Sequence, residues 1–125
     1  MTTTNINDAL YVQEIGKVAL SVINWHERFE TSAIDTEDKE DAVIQLLLKS
    51  SLMTEELGEF VKDANHINLD GMMYELGDIL YSVLDLILTA GPDMYPLLKQ
   101  MRDSNDSKSI DTHVLNPLGT KLIKR

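Results

Sequence analysis

Apolar residues recur every three or four positions along most of this chain, and the alternation typical of β-strands is almost absent. This period indicates α-helices, and it predicts four of them, over about residues 7–29, 40–64, 71–90 and 92–102. We expect Thr36 to begin the second helix, Asp70 to cap the third, and Gly91-Pro92 to end it. Four helices with short connections predict an all-α, four-helix-bundle-like fold, followed by a partly irregular C-terminal tail.

The third predicted helix places its polar residues on a single stripe. Residues 72–88 are almost entirely apolar, which indicates a helix buried on most sides. Its polar positions recur at spacings of three and four: Glu75, Asp78, Ser82, Asp85 and Thr89. Buried carboxylates cost several kcal/mol each unless a cation pairs with them. No Lys or Arg lies between Lys62 and Lys99, so the counter-charge must come from elsewhere.

The second predicted helix carries three acidic residues that can face this stripe: Glu55, Glu56 and Glu59. Packed together, the two helices would gather four or five carboxylates, which repel one another or protonate unless they bind hard cations. All-oxygen ligands suit Mg²⁺ or Mn²⁺. A Glu-Glu-x-x-Glu stretch alone is most often a solvated helix face, and it is the combination with the buried stripe that favours a metal site.

Composition and charge narrow the class of protein. The 125 residues, 43% of them hydrophobic, predict one domain over residues 1–125, with a core at about 7–103 and a basic tail at 104–125. The chain has no cysteine, its N-terminus lacks a secretory signal, and residues 76–88 are too short to span a bilayer, which predicts a cytoplasmic protein without a membrane partner. The net charge of −10 divides into −13 before Lys99 and +3 from there on, so the body disfavours nucleic acid while the tail can meet phosphates.

Four short motifs resemble one family of enzymes. EELGE (55–59) followed by ELGD (75–78) is similar to the Glu-Glu-x-x-Glu and Glu-x-x-Asp pattern of the MazG-type, all-α nucleoside triphosphate pyrophosphohydrolases. This family includes phosphoribosyl-ATP pyrophosphohydrolase and the dimeric dUTPases. NWHERF (24–29) and DSNDSK (103–108) resemble segments of its small phage and bacterial members. The four motifs stand in the family's order and span most of the chain.

The resemblance implies roles for individual residues. Glu56, Glu59, Glu75 and Asp78 match the family's ligands for two or more Mg²⁺ or Mn²⁺ ions, and Glu55 matches the residue that orients or deprotonates the attacking water. Asp85 follows on the same stripe and is a candidate for an extra ion or a ribose hydroxyl. The other candidate substrate-binding residues are Arg102, Asn105 and Lys108, for phosphate or sugar, and His26, which either contacts the base or caps the first helix. Lys49 is expected to be solvated rather than to reach a phosphate.

The reaction that the resemblance implies is hydrolysis of a (deoxy)nucleoside triphosphate to the monophosphate and diphosphate. The small size and the tail motif favour a phage-type enzyme of the deoxynucleotide pool, acting on dGTP or a similar purine in the host cytoplasm. The family also implies a homodimer, or a dimer of dimers, with active sites near the subunit interface. Two alternatives stay open: a non-catalytic nucleotide-binding or regulatory module, and a structural helical oligomer whose polar stripe meets basic residues of a partner.

Overall fold

The structure, a computed structural model, describes residues 7–125. It is all-α, with four helices as predicted: α1 (Asp8–Arg28), α2 (Lys39–Asn65), α3 (Leu69–Ala90) and α4 (Met94–Asp106). A short antiparallel hairpin follows, formed by β1 (His113–Leu115) and β2 (Leu122–Lys124). Within residues 7–125 no helix is long and apolar enough to cross a membrane. The sequence-based prediction of no secretory signal rests partly on residues 1–6, which lie outside the described residues.

The chain divides after Gly91 into two compact units, the first containing α1, α2 and α3, the second containing α4 and the hairpin. In the first unit, α3 packs against both α2 and α1. Apart from Ser50, the buried and half-buried residues of α2 follow one another at spacings of four and three, which is one stripe of a helix. They are Ala42, Leu46, Lys49, Met53, Glu56, Phe60 and Asp63, all buried or half-buried.

The polar stripe of α3 faces α2. Ser82 of this stripe donates a hydrogen bond to Glu56 of α2, and Asp85 pairs with Lys49, also of α2. The expectation that α3 is buried on most sides is wrong for the single chain, because only Ser82 and Thr89 of this helix are buried and the other residues are half-buried or exposed. Leu76, at 54% exposure, is one of several apolar α3 residues that are left open to solvent.

Side-chain caps fix where the helices begin. Asp38 caps α2 by accepting a hydrogen bond from the Asp41 amide, and Asn68 caps α3 by accepting one from the Gly71 amide. The predicted starts at Thr36 and Asp70 are therefore each wrong by two residues. The observed caps, Asp38 and Asn68, each stand three residues before the backbone amide that their side chain binds. Gly91, with φ of 88°, ends α3 as predicted.

The C-terminal tail is partly irregular, as predicted, but it contains two features that the sequence pattern did not predict, a longer α4 and a short hairpin. Helix α4 continues to Asp106, since nothing in its last turn is incompatible with a helix. The hairpin pairs Val114 with Ile123, and its turn is closed by the Asn116 amide, which donates to the carbonyl of Lys121. Strands of three residues are too short to give a recognisable period, so the sequence pattern misses them.

The C-terminal ends of α1 and α2 share one geometry. In each, the chain leaves the helix through a residue in the left-handed region, Glu30 (φ 54°) and Ile67 (φ 53°). The next amide donates to the carbonyl five residues earlier, Thr31 to His26 and Asn68 to Asp63. This is the Schellman motif, in which glycine is usual because a Cβ is strained there. A β-branched residue such as Ile67, 92% exposed, is especially unfavourable at this position.

We therefore predict that Ile67→Gly stabilises the protein by about 1 kcal/mol. Glycine removes the strain of the left-handed conformation, and this gain exceeds the conformational entropy that glycine adds to the unfolded chain. Urea unfolding followed by circular dichroism measures the change. The control is Gln45→Gly, at an exposed interior position of α2, which should cost about 1 kcal/mol. Destabilisation by Ile67→Gly would contradict the assigned backbone conformation.

Candidate functional site

Five carboxylates gather where α2 and α3 face each other near the turn that joins them. We call them the carboxylate cluster: Glu56, Glu59 and Asp63 of α2, and Glu75 and Asp78 of α3. Glu75 is half-buried, and it is close enough to the other four carboxylates for their negative charges to act on it. Burial raises the pKa of the Glu75 carboxyl above its ordinary value, and the negative charges of Asp78, Asp63, Glu59 and Glu56 raise it further, in that order.

The helical spacing explains how the cluster forms. Glu56 and Asp63 are seven residues apart and therefore lie on the same face of α2, two turns from each other. Gly71 lets the two helices approach closely, because a Cβ there would lie 2.7 Å from the Asp63 carboxylate. Ser82 fixes Glu56 through a 2.7 Å hydrogen bond from its hydroxyl to one carboxylate oxygen.

Among the described residues, no Lys, Arg or His forms an ion pair with any member of the cluster. No three His, Asp or Glu side chains in residues 7–125 converge as a formed metal site does. The donors of the cluster are all carboxylate oxygens, the type that Mg²⁺ and Mn²⁺ prefer. The chemistry of the donor set thus fits a hard divalent ion, and binding requires the side chains to turn towards a common point.

Asp85 lies at the centre of a separate network that joins all three helices of the first unit. Lys49 of α2 places its ammonium 2.9 Å from each Asp85 oxygen. His26 of α1, which is buried, bonds to Asp85 through Nε2 and to the Thr31 hydroxyl through Nδ1, the latter at 2.6 Å. Lys49 also lies over the Trp25 ring, 5.8 Å from its centroid.

This network revises two expectations. Lys49 is not simply solvated; it supplies the counter-charge that the sequence of α3 lacks, but only for Asp85. His26 does not cap α1 through its side chain; it bridges Asp85 and Thr31. Both oxygens of Asp85 are engaged within the protein, so a role for Asp85 or His26 in substrate binding stays a prediction that requires these partners to be exchanged.

The remaining predicted residues are distributed over both units. Glu55 is exposed on α2 and is not among the carboxylates that act on Glu75. Arg102 and Asn105 lie exposed on α4, and Asn105 accepts a hydrogen bond from the Lys108 ammonium at 3.1 Å. Lys108, with His113 and Arg125, lines a depression of about 650 Å³ in the C-terminal unit, which places three basic side chains around one apolar hollow.

Sequence reasoning gave no role to two residues of these sites, Asp63 and Thr31, and it expected Lys49 to be solvated rather than paired with Asp85. Asp63 is one turn beyond Glu59, and Lys49 is two turns before Glu56, so extending the α2 stripe in both directions would have included them. Thr31 carried no local signal, because its hydroxyl reaches His26 only through the left-handed turn at Glu30.

Comparisons with protein-family models, with curated proteins and with solved structures find no match for this chain.

The raised pKa of Glu75 predicts a pH dependence of stability in metal-free buffer. A carboxyl whose pKa is higher in the folded state destabilises the fold once it ionises, so stability is lost as pH rises through the raised value. Glu75→Gln should therefore raise the melting temperature at pH 7 and have little effect below the ordinary Glu pKa. Thermal unfolding in EDTA over pH 4–8 tests this.

The matched control is Glu27→Gln, which removes one acidic charge from the exposed surface of α1. Its effect should be smaller at pH 7. Equal effects of the two variants would mean that the carboxylate cluster does not repel itself.

The Lys49–Asp85 pair is mostly buried, with side-chain exposures of 32% and 19%. Removing one partner leaves the other charge partly buried and poorly compensated, so Lys49→Met should cost about 2 kcal/mol. The double variant Lys49→Met/Asp85→Asn should lose less free energy of unfolding than the sum of the losses in the two single variants. A double-mutant cycle by urea unfolding measures the coupling, and strict additivity would contradict a direct ion pair.

Proposed function

We propose that the chain is a metal-dependent nucleoside triphosphate pyrophosphohydrolase of the cytoplasm, converting (d)NTP and water to (d)NMP and diphosphate. The observation that carries the proposal is the carboxylate cluster, five acidic side chains on facing helices with no ion pair among the described residues. Uncompensated charge of this density is unfavourable in a helix interface unless a cation is bound. The resemblance of EELGE and ELGD to the MazG-type motif supports the reaction class.

Each side chain has a defined part in this proposal. Glu56, Glu59, Glu75 and Asp78 would hold two or more Mg²⁺ or Mn²⁺ ions, which neutralise phosphate charge and lower the pKa of water when bound. Exposed Glu55, next to the cluster in sequence, is the residue proposed to orient the attacking water and accept its proton. Ser82 holds Glu56 in place through its hydrogen bond.

The substrate contacts of the proposal lie outside the cluster. Arg102, Asn105 and Lys108 would meet phosphate or sugar oxygens, because they bring positive and amide groups to an otherwise acidic protein. His26 and Asp85 would contact the base or ribose. A deoxypurine triphosphate such as dGTP, with a homodimer or dimer of dimers as the active form, follows from the resemblance alone.

Product analysis tests the reaction class. The purified chain is incubated with Mg²⁺ or Mn²⁺ and each common NTP and dNTP in water enriched in ¹⁸O, and the products are separated by ion exchange. We expect diphosphate and a monophosphate that carries the ¹⁸O, because attack occurs at the α-phosphorus. Release of inorganic phosphate instead, or ¹⁸O in the diphosphate, would contradict the proposed bond cleavage.

The variants Glu56→Gln and Glu27→Gln separate the cluster from general acidity. We expect Glu56→Gln to lose about 100-fold or more in rate, since losing one preorganised charge commonly costs this much. Glu27→Gln, on α1, should keep the wild-type rate. If no nucleotide is hydrolysed although Mn²⁺ raises the melting temperature, the non-catalytic nucleotide-binding module becomes the better reading.

A further inference from the structure

The depression in the C-terminal unit combines an aliphatic lining with three basic side chains. Its apolar residues are Ile110, Val114, Leu115 and Leu122. Lys108, His113 and Arg125 complete the lining together with Ser109, and no acidic side chain of the described residues takes part in it. We call this site the basic hollow. Its volume of about 650 Å³ is in the range of small-molecule sites, which are mostly apolar with a few placed polar groups.

The basic side chains of the hollow have no partner of opposite charge. Asp and Glu outnumber Lys and Arg by 21 to 11 in this chain, so carboxylates are in excess. Even on exposed helix surfaces, Lys17 and Lys99 are each paired with a carboxylate. In residues 7–125, by contrast, no ion pair includes Lys108, His113 or Arg125. The charges of the hollow are therefore available to an external anion.

Neutral groups hold these side chains in place, so the hollow keeps its positive charge. Arg125 donates from Nε to the Ile110 carbonyl at 2.7 Å, which leaves both Nη groups for a ligand. Half-buried Lys108 donates one proton to the Asn105 side-chain oxygen at 3.1 Å and has two more. His113 bonds to the hydroxyl of the preceding threonine through Nδ1, which leaves Nε2. Donors that are fixed by such outer contacts are preorganised for binding an anion.

The lining limits the chemistry of the ligand. Guanidinium, ammonium and imidazole N–H groups bind carboxylate or phosphate oxygens. The apolar lining contains no Phe, Tyr or Trp, so it offers burial to hydrocarbon but little stacking surface to a nucleobase. A free phosphate ion would leave the aliphatic lining in water, and a neutral hydrocarbon would leave the N–H donors unused. An oxyanion on an aliphatic chain engages both.

We propose that the basic hollow binds a small aliphatic oxyanion. Its carboxylate or phosphate head is bound by Arg125, Lys108 and His113, and its hydrocarbon chain packs against the aliphatic lining. The hollow belongs to the second compact unit of the chain, whereas the carboxylate cluster belongs to the first. The proposal does not rest on the proposed enzymatic function. Only Lys108 has a part in both, so the tests use Arg125 and contain neither nucleotide nor metal.

Titration of the purified full chain tests whether head and hydrocarbon are both recognised. The probes are octanoate and octyl phosphate, with acetate and inorganic phosphate as heads alone and 1-octanol as the neutral chain. Binding is followed by ¹H–¹⁵N NMR. We expect the tighter of the two octyl anions to bind at least about 10-fold better than any reference probe, because chain burial and charge-assisted hydrogen bonds each contribute a factor of this order.

The amide signals that move should be those of residues 108–125. Equal affinity for 1-octanol and the octyl anions would overturn the proposal, because the basic groups would then contribute nothing. Equal affinity for the heads alone would overturn it as well, since the aliphatic lining would be unused. Signal shifts confined to α2 and α3 would assign the binding to a different surface and have the same consequence.

Two adjacent residues give a matched pair of variants. Arg125→Gln removes a charge from the hollow, whereas Lys124→Gln removes an equal charge from β2 outside the lining. We expect Arg125→Gln to weaken binding of the octyl anion about 10-fold through loss of a charge-assisted hydrogen bond, with the affinity for 1-octanol unchanged. Lys124→Gln should bind as the wild-type chain does. Arg125→Lys, which keeps the charge, should retain most of the affinity.

Equal losses in Arg125→Gln and Lys124→Gln would indicate attraction by overall charge and would overturn the site. So would the absence of binding by both octyl anions at all concentrations below micelle formation. Because these titrations contain no nucleotide and no metal, such a failure leaves the hydrolase proposal to its own test.

Discussion

Like-charge repulsion across the α2–α3 interface is the constraint on which the rest of the site depends. Glu75 is half-buried among four other carboxylates, and burial together with their charges raises its pKa. Such an arrangement is costly in the absence of a cation, and the chain offers no ion-pair partner to the cluster within residues 7–125. A helix interface that only had to pack would be more stable with apolar residues at these positions, so the acidic residues require a purpose other than packing.

The carboxylates of α3 at this interface fall into two groups, those with a partner in the chain and those without an ion pair among the described residues. Asp85 is paired with the Lys49 ammonium and hydrogen-bonded to His26, and these contacts connect α1, α2 and α3. Two to three turns earlier on α3, Asp78 and Glu75 have no ion-pair partner among residues 7–125. The stripe is therefore divided into a part that stabilises the fold and a part that is left negative. The division explains how one helix can carry several carboxylates without all of them serving the same role.

Much of the helical architecture and of the polar stripe on α3 could be predicted from the sequence, because helical periodicity is a strong signal over about twenty residues. The spacing of Glu75, Asp78, Ser82 and Asp85 predicted a polar stripe, and the structure places that stripe against α2. Apart from the expected burial of α3 on most sides, the predictions that failed depended on single side chains rather than on period. Asn68 and Asp38 replaced the expected caps, and Lys49 was judged from its own helix without the residue that it faces. The hairpin at His113–Lys124 could not be predicted, since three-residue strands show no alternation.

The carboxylate cluster is tested most directly by counting the Mn²⁺ ions it binds, through electron paramagnetic resonance of free Mn²⁺ during a titration of the purified chain. The account predicts at least one tightly bound ion per chain, lost in Glu56→Gln and Asp78→Asn but retained in Asp85→Asn, whose carboxylate belongs to the Lys49 network. Glu27→Gln, which leaves the cluster intact, should bind Mn²⁺ as the wild-type chain does. Unchanged Mn²⁺ binding in Glu56→Gln and Asp78→Asn, or none in the wild-type chain, would contradict the account.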